Sequence, residues 1–420
     1  MTGEEWAATP RRFAMVTTFY PPSSFGGDAT YLYRLANALA ADGHQVEVVH
    51  CADSYRLLAR QPAGPPWPHH PNVRVRTLHS PFGPLSPFLT QQTGRPWLKQ
   101  QPLREALVTA RPDVIHFHNV SLVGGPGVLH LGTALKLYTT HEHWLICPMH
   151  VLWKNNRQLC DRPTCFSCQL RSGRPPQWWR ASRLLERALD QIACFLAPSR
   201  FTLQLHQQRG LAGRPFVHLP YFVPAPEQLP PPYPHARPYF LFVGRLEKIK
   251  GLQTLIPLFQ RWERADLLVA GSGSYAPELE RLAAGCPRIH FLGQQPSETL
   301  AALYRGAVAL VVPSLCYEVF GIVILEAFAY GTPAVVRELG ALPEVIAESG
   351  GGLTYRTDGE LLTALGRLLA DRPLRDALGE RGRTTFHQRW TTRPHLAQYY
   401  AILARLAAGT ASTPGEGSSR

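Results

Sequence analysis

Short apolar segments that alternate with helical stretches constrain the fold of this chain more than any other feature. Each segment is rich in β-branched, aliphatic or aromatic residues, as strands buried on both faces are. They span residues 12–18, 44–50, 72–78, 114–119, 135–141 and 194–199, and then 239–244, 266–271, 288–293, 308–314 and 332–338. Because amphipathic or Gly/Pro-rich segments separate them, the strands of each set are expected to lie parallel. The pattern predicts an α/β fold with two Rossmann-like, doubly wound domains.

A Pro-rich segment separates the two sets. Residues 221–238 carry prolines too densely for a helix or a central strand, which leaves an extended linker. We therefore predict a first domain over 1–220 and a second over 239–386, in keeping with a length of 420 residues. A helix over 387–408 follows, and the small polar residues of 409–420 predict a disordered tail.

The charge of the chain is positive and uneven. The formal net charge is +13, and residues 154–214 hold eleven Lys and Arg residues against three acidic ones. Such a patch attracts phosphate groups, whether in nucleic acid, anionic lipid or a diphosphate-linked substrate. The sequence has no apolar run of the ~18 residues that a membrane span needs, and no secretory signal pattern. We therefore expect a cytoplasmic protein whose cysteines are reduced.

Two glutamates stand eight residues apart at the junction of a strand and a helix. Residues 308–314 predict a buried strand, and 321–330 predict a helix that stops at Gly331. Glu318 then lies at the carboxyl end of the strand, and Glu326 lies inside the helix. Because eight residues at about 100° each leave a net rotation of roughly 80°, both carboxylates are expected to face one cleft.

The start of this helix adds a second feature. The backbone N–H groups of Phe320, Gly321 and Ile322 are expected to face the same cleft, where a helix N-terminus favours an oxyanion. A pair of glutamates alone is equally typical of a buried helix with solvated carboxylates, so other motifs have to decide.

Two cations follow the first strand of the second set. They belong to the segment Gly244-Arg245 and Lys250-Gly251, which differs from a P-loop in its order of residues. Taken alone, the segment is also typical of a surface turn with solvated charges. The sequence contains no Asp-x-Asp motif of the kind that can hold a divalent metal.

Several residues at other strand ends are candidates for ligand binding. Gly26 and Gly27 follow the first strand, and Gly271 and Gly273 form a turn after another, where the missing side chains permit close backbone approach. His141 ends the segment 135–141. Glycine turns are common without ligands, and a histidine in such a place often caps or packs.

Four cysteines fall in one loop-like insertion over 147–168. Cys165 and Cys168 have the spacing of metal ligands, and with Cys147 and Cys160 they offer the four thiolates of a tetrahedral zinc site. Cys147 and Cys160 are not a Cys-x2-Cys pair. The sequence therefore leaves three alternatives: a structural zinc ion, another structural cross-link, or free cysteines on a loop. Such a metal would brace the loop without taking part in catalysis.

Basic residues flank Trp178 and Trp179 just after this insertion. Aromatic and basic residues ahead of an amphipathic helix are typical of contact with an anionic membrane surface. A partly buried tryptophan pair with a solvated basic face is the alternative.

Together these elements resemble the retaining, GT-B-type glycosyltransferases of family 4, also called glycosyl transferases group 1. The resemblance extends over nearly the whole chain and follows the family's order of motifs. It includes the Gly26-Gly27 loop, the His141-Glu142 pair, the Arg245 and Lys250 segment, the E-x7-E block and the segment 343–345.

The sequence departs from the family pattern at two places. Ile249 stands where an acidic residue is common, which puts the ion pairing of that loop in doubt but not its two cations. Gly340-Ala341 replaces the usual Gly-Gly pair near the donor sugar.

The resemblance implies a nucleotide-sugar donor bound between the domains, with the acceptor on the first domain and the nucleotide on the second. It implies that the helix over 387–408 crosses back to the first domain. Gly244, Gly271 and Gly273 would lie beside the nucleotide, and Gly26 and Gly27 would lie between the acceptor and the donor phosphates.

The resemblance also implies a role for each charged residue. Arg245 and Lys250 would stabilise the departing diphosphate, and Glu326 would accept hydrogen bonds from the ribose. Glu318 would hold the sugar hydroxyls together with the amides of Phe320, Gly321 and Ile322. His141 would contact the sugar near the reacting carbon.

The implied reaction moves a sugar from a UDP- or GDP-sugar to a saccharide or lipid-linked acceptor, with retention of configuration and without a catalytic metal. Cell-surface polysaccharide or glycolipid synthesis is the expected setting, and the basic patch favours peripheral contact with the inner membrane surface. Three alternatives stay open: a nucleotide-sugar hydrolase or epimerase, a non-catalytic nucleotide-sugar binding protein, and a nucleic-acid-binding protein. The last would need a base-stacking module that the sequence lacks, so we expect no nucleic-acid partner.

Overall fold

Two parallel β-sheets form the frame of the molecule in a computed structural model that describes residues 2–59 and 62–411. The first half supplies β1 Arg12–Val16, β2 Gln45–Cys51, β3 Val73–Leu78, β4 Val114–Phe117, β5 Leu135–Thr139, β6 Trp153–Lys154, β7 Gln158–Leu159, β8 Cys194–Ala197 and β9 Phe216–His218. The second half supplies β10 Tyr239–Val243, β11 Asp266–Ala270, β12 Ile289–Gly293, β13 Ala309–Val312, β14 Ala334–Arg337 and β15 Gly352–Tyr355.

Helices follow most of these strands, and short 3₁₀ and π turns complete the connections. The helices of the first half are α1 Gly3–Ala8, α2 Gly27–Ala41, α3 Ala52–Leu58, α4 Leu85–Thr93, α5 Gln100–Arg104, α6 Cys165–Arg171, α7 Leu184–Leu189 and α8 Arg200–His206. Those of the second half are α9 Leu252–Arg261, α10 Ala276–Ala283, α11 Ser297–Gly306, α12 Ile322–Ala329, α13 Leu342–Ser349, α14 Asp358–Ala370, α15 Arg372–Arg389 and α16 Thr392–Ala411.

Both large sheets are parallel throughout and share one topology. The first has the order β3-β2-β1-β4-β5-β8-β9, and the second has β12-β11-β10-β13-β14-β15. In each sheet the strand order reverses beside the first strand, between β1 and β4 and between β10 and β13. The predicted α/β fold with two doubly wound sheets is therefore confirmed.

Covering both faces of each sheet explains the apolar sequence of its central strands. In β1, every residue from Phe13 to Val16 is buried, and in β11 every residue is buried. One apolar cluster runs from the first sheet through the linker residue Phe222 to the second sheet, so the two halves share part of their core.

The sequence missed the smaller strands. β9 and β15 are edge strands of three and four residues, and the β6-β7 hairpin is a separate two-stranded sheet inside the Cys-rich insertion. The segment expected as one helix over 387–408 is divided, because α15 ends at Arg389 and a new helix starts at Thr392. Pro394 lies in its first turn, where the missing N–H costs no hydrogen bond. This helix reaches Ala411, inside the predicted tail; residues 412–420 lie outside the described part of the chain.

Helix α16 packs on the first half of the molecule through buried polar contacts. Tyr400 Oη lies 3.0 Å from His44 Nε2, and Tyr399 Oη lies 3.1 Å from His116 Nδ1. His395 accepts from the Tyr31 hydroxyl at 3.0 Å and donates to the Pro220 carbonyl at 2.9 Å. The chain thus passes between the domains twice.

The two passages touch each other. The linker residue Val223 donates its backbone N–H to the carbonyl of Trp390 at 2.9 Å, beside the start of α16. The Trp390 ring also stacks on Phe328 of the second domain. Within residues 2–59 and 62–411, no helix combines the length and apolar character needed to cross a bilayer.

We expect the free energy of unfolding to fall as the pH drops from 7 to 5, partly because of His395. Burial lowers the pKa of His395 to about 3, although the bond to Pro220 opposes this, from the ordinary value of 6.5. Between these values the unfolded chain binds a proton there that the folded chain does not, so stability rises with pH across this window.

His395→Asn should reduce the slope of unfolding free energy against pH by up to about 1.4 kcal/mol per pH unit, measured by urea unfolding at pH 7, 6 and 5. Tyr31→Phe removes the partner hydroxyl but keeps the imidazole, so it should retain the wild-type slope. An unchanged slope in the His395 variant would show that this ring is not held neutral.

Candidate active site

A cavity of about 290 Å³ lies between the carboxyl ends of the two sheets. It adjoins the point in each sheet where the strand order reverses, which is where doubly wound sheets bind ligands. The cavity is bounded by the loops after β1, β5, β10 and β13, by Tyr221 of the linker and by the start of α12. The topology of the two sheets therefore predicts one ligand site that both domains share.

Two helices begin at this cavity from opposite sheets. Gly27 is the first residue of α2, and a Cβ on it would lie 3.2 Å from Ile322 Cγ2 at the start of α12. Gly321 precedes α12 with φ of +97°, a conformation that favours glycine. The first-turn amides of a helix have no acceptor within it and carry a partial positive charge. The arrangement suits an anionic group.

The predicted site residues Lys250 and Glu318 both line this cavity, where they are hydrogen-bonded to each other. Glu318 Oε1 accepts from Lys250 Nζ at 2.7 Å and from Ser314 Oγ at 2.6 Å. Burial raises the pKa of Glu318, but Lys250, Ser314 and Arg245 together hold it below its usual value. The carboxylate therefore stays ionised and able to accept hydrogen bonds.

Arg245 is exposed at the cavity and its charge acts on two carboxyl groups. It lowers the pKa of Glu318 and opposes the rise at Asp28, which burial and the nearby Glu142 push above the usual range. Asp28 directly follows the Gly26-Gly27 loop, but no motif in the sequence marks it as a site residue. The cavity thus combines two cations with part-buried acidic groups.

His141 lies on the cavity with both ring nitrogens engaged. Its Nδ1 is 2.6 Å from Tyr221 Oη, and its Nε2 is 2.7 Å from His118 Nδ1. Burial lowers the pKa of His141 to about 3, so the ring is neutral near pH 7. A neutral imidazole with a hydrogen bond at each ring nitrogen is suited to positioning neighbouring groups. Tyr221 was also overlooked, because nothing in a Pro-rich linker signals a site residue.

Two further histidines connect this wall of the cleft. His143 donates from Nε2 to the Tyr317 carbonyl at 3.2 Å, which joins the first domain to the loop that carries Glu318. His150 Nδ1 lies 2.5 Å from Glu142 Oε2. Both histidines line the cavity, so the insertion after β5 forms part of the site.

Glu326 is not among the residues that line this cavity, so its contact with the same ligand as Glu318 stays a prediction. Glu326 accepts from Arg34 of α2 at 3.1 Å and from the Tyr304 hydroxyl at 3.1 Å. The close packing of α2 against α12 supplies this guanidinium from the other domain, and periodicity along one helix does not reveal such a partner. The Phe320 side chain is also turned away and packs near Tyr221 and Trp390.

Gly271 and Gly273 support the cavity from behind without lining it. A Cβ on Gly271 would lie 1.9 Å from the Gly244 carbonyl, and one on Gly273 would lie 2.4 Å from the Leu246 carbonyl. These glycines therefore let the turn after β11 pack directly on the loop that carries Arg245. Gly244 and Arg245 themselves line the cavity.

The four cysteines of the insertion surround a different, much smaller cavity. Its volume is about 20 Å³, and Cys147, Cys160, Cys165 and Cys168 all contribute to its wall. The structure thus brings the four predicted ligands together, apart from the site between the domains.

Two family models cover most of the chain. The model of Glycosyltransferase Family 4 matches residues 25–225, and that of Glycosyl transferases group 1 matches residues 230–385. The chain belongs to this family of glycosyltransferases. The family predicted from the motifs is confirmed.

Known proteins resemble this glycosyltransferase over its whole length. An uncharacterised glycosyltransferase of Methanocaldococcus jannaschii is 26% identical over 403 residues, 90% of this chain and 94% of that protein. Sucrose-phosphate synthase from Thermosynechococcus elongatus superposes with a TM-score of 0.72 at 22% identity, covering 95% of this chain and all of that one. HepE of Anabaena, solved with UDP, superposes with a TM-score of 0.66 at 17% identity, and the match covers 94% of this chain and all of that one. The two structures confirm the GT-B fold.

Proposed function

We propose that this glycosyltransferase takes its sugar from a UDP- or GDP-sugar and passes it, with retention of configuration and no catalytic metal, to a saccharide or lipid-linked acceptor. The observation that carries this proposal is the meeting of Arg245, Lys250 and two helix N-termini at one cavity. A nucleoside diphosphate gains negative charge as it leaves, and fixed positive charge stabilises that transition state.

The donor occupies the cavity between the domains. Arg245 and Lys250 face its diphosphate, and Glu318 accepts hydrogen bonds from the sugar hydroxyls, near the amides at the start of α12. Glu326 accepts from the ribose, with its carboxylate shared with Arg34. His141 contacts the sugar near the reacting carbon. HepE, a protein of the same fold, was solved with UDP, which supports a nucleotide-containing ligand.

The acceptor site lies in a second, larger cavity of the first domain. It has a volume of about 650 Å³ and is lined by Tyr55, Arg56 and Trp67, among others. Phe25, next to the Gly26-Gly27 loop, stacks on Tyr55 at 4.8 Å, so this cavity adjoins the donor site. Aromatic faces with a cation suit a saccharide that carries anionic groups.

The acceptor is presented at an anionic membrane surface during polysaccharide or glycolipid synthesis. Three apolar side chains in and just after the insertion, Phe166, Leu170 and Trp178, are more than half exposed. The rings of Phe166 and Trp178 lie 5.5 Å apart, and Arg171 and Arg174 stand between them in the sequence. Exposed aromatic rings next to arginines suit a headgroup region. Trp179 instead is buried and donates to the Gln91 carbonyl.

Glu326→Ala should weaken nucleotide binding at least tenfold, because it removes a part-buried acceptor of the ribose hydroxyls. Calorimetric titration with UDP, GDP and ADP in metal-free buffer measures this and identifies the base. Arg34→Ala is the matched control, since it breaks the same ion pair but leaves the carboxylate. If both variants lose affinity equally, Glu326 acts through domain packing and the ribose role is wrong.

Arg245→Ala should lower kcat by about a hundredfold and raise KM much less, because the charge it meets develops in the transition state. Steady-state kinetics on the donor identified by titration provides the measurement. Lys248→Ala removes an exposed cation of the same loop and should have little effect. A rise in KM with kcat unchanged would contradict a role in stabilising the leaving group.

Cosedimentation with vesicles tests the membrane contact. Replacing both Phe166 and Trp178 with Ala should reduce binding to phosphatidylglycerol-containing vesicles about fivefold, because it removes the aromatic anchors. Leu229→Ala changes an exposed apolar residue of the linker and serves as the control. Undiminished binding by the double variant, or equal binding to neutral vesicles, would exclude this surface.

A further inference from the structure

The insertion between β5 and α7 arranges its four cysteines around one point. Cys147 precedes the β6-β7 hairpin and Cys160 follows it, while Cys165 begins α6 and Cys168 lies one turn further. Cys147, Cys160 and Cys168 are each less than a tenth exposed. Residues 21 positions apart at the ends of this segment therefore line one small cavity.

We propose that Cys147, Cys160, Cys165 and Cys168 bind one structural Zn²⁺ ion. The cavity they line, of about 20 Å³, has room for about one water-sized particle. A structural zinc site is closed by four protein ligands, and four thiolates are a common set. This inference does not rest on sugar transfer.

Donors and cations around the sulfurs suit thiolate ligands. The Asn155 backbone N–H donates to Cys168 Sγ at 3.3 Å. Four thiolates on Zn²⁺ carry a net charge of about −2, which a buried site has to offset. Lys154, Arg180 and Arg209 act on these cysteines electrostatically, and Arg209 also donates to the Cys160 carbonyl at 2.9 Å.

The backbone of the insertion is held in unusual conformations. Of the five non-glycine residues with positive φ in the described chain, four lie here: His150, Leu152, Asn155 and Asn156. Asn155 and Asn156 lie in the turn of the β6-β7 hairpin, where asparagine adopts this conformation readily, whereas His150 and Leu152 hold it only through surrounding contacts. Around Cys147 and Leu152 the apolar contacts form only a small cluster. A bound ion provides a stabilising interaction of the required size.

The sulfurs have to move inward to bind the ion. No three of them lie within 4.8 Å of one another, whereas a Zn–S bond of about 2.3 Å places tetrahedral sulfurs about 3.8 Å apart. Among the described residues, only His235, Asp266 and His290 place three potential metal-ligand atoms within 4.8 Å of one another. That cluster is an ion-pair network, because Arg237 already donates to Asp266 at 2.8 Å.

The zinc ion fixes one wall of the cleft between the domains. His143 and His150 flank Cys147 in sequence, line the active-site cavity and contact Tyr317 and Glu142. Tyr317 also packs against the Cys147 and Cys160 cluster. The ion therefore determines the position of this wall without touching the donor or the acceptor.

Elemental analysis of the purified full-length chain tests the proposal directly. We expect one zinc per chain after gel filtration in chelator-free buffer, and four additional cysteines that react with a thiol reagent once the zinc has been removed. Replacement by Co²⁺ should give the absorption bands of a tetrahedral tetrathiolate site. These readouts require no activity, so they are independent of the proposed sugar transfer.

Cys165→Ser together with Cys168→Ser should lose the zinc, whereas Cys286→Ser, a half-buried cysteine of the second domain, should keep it. If the double variant does not fold, the metal content and cobalt spectrum of the wild-type chain decide the question. Absence of stoichiometric zinc, zinc retained by the double variant, or iron with inorganic sulfide in place of zinc would each overturn the proposal.

Discussion

Two helix N-termini from opposite sheets point at one cavity, and the chemistry of the cleft follows from that electrostatic constraint. Their positive ends repel each other, and Arg245 and Lys250 add further positive charge. Within the protein, Glu318 and Asp28 offset this charge at the cavity surface. A bound diphosphate would add negative charge where the positive charge of the helix N-termini, Arg245 and Lys250 is concentrated. The site therefore gains most from an anionic ligand whose charge increases during the reaction.

The fold could be predicted largely from the sequence because parallel strands covered on both faces are apolar throughout. β1, β11 and β13 are continuous runs of buried residues, and periodicity identifies such strands directly. The sequence did not predict β9 and β15, because edge strands of three or four residues are only half-buried and show little hydrophobic periodicity. The separation of α15 from α16 depends on the position of a proline in a first turn.

The candidate site could be predicted where it depends on strand ends and not where it depends on contact between domains. Gly26, His141, Arg245 and Glu318 follow strands of parallel sheets, and these ends meet at the cleft. The partner of Glu326 is Arg34, which lies 292 residues away in the other domain. Periodicity within one helix cannot predict a partner in the other domain. Tyr221 also belongs to the site only because the two domains meet there, so the sequence does not predict it either.

The hydrogen bond between Val223 and Trp390 has a mechanical consequence. The chain passes between the domains at the linker and again before α16, and this bond holds both passages side by side. Two adjacent connections define an axis, whereas a single connection permits swivelling in every direction. Rotation about that axis would change the width of the cleft and preserve the register between its walls. Walls held in one register would present the two substrates of the proposed transfer to each other in one relative orientation.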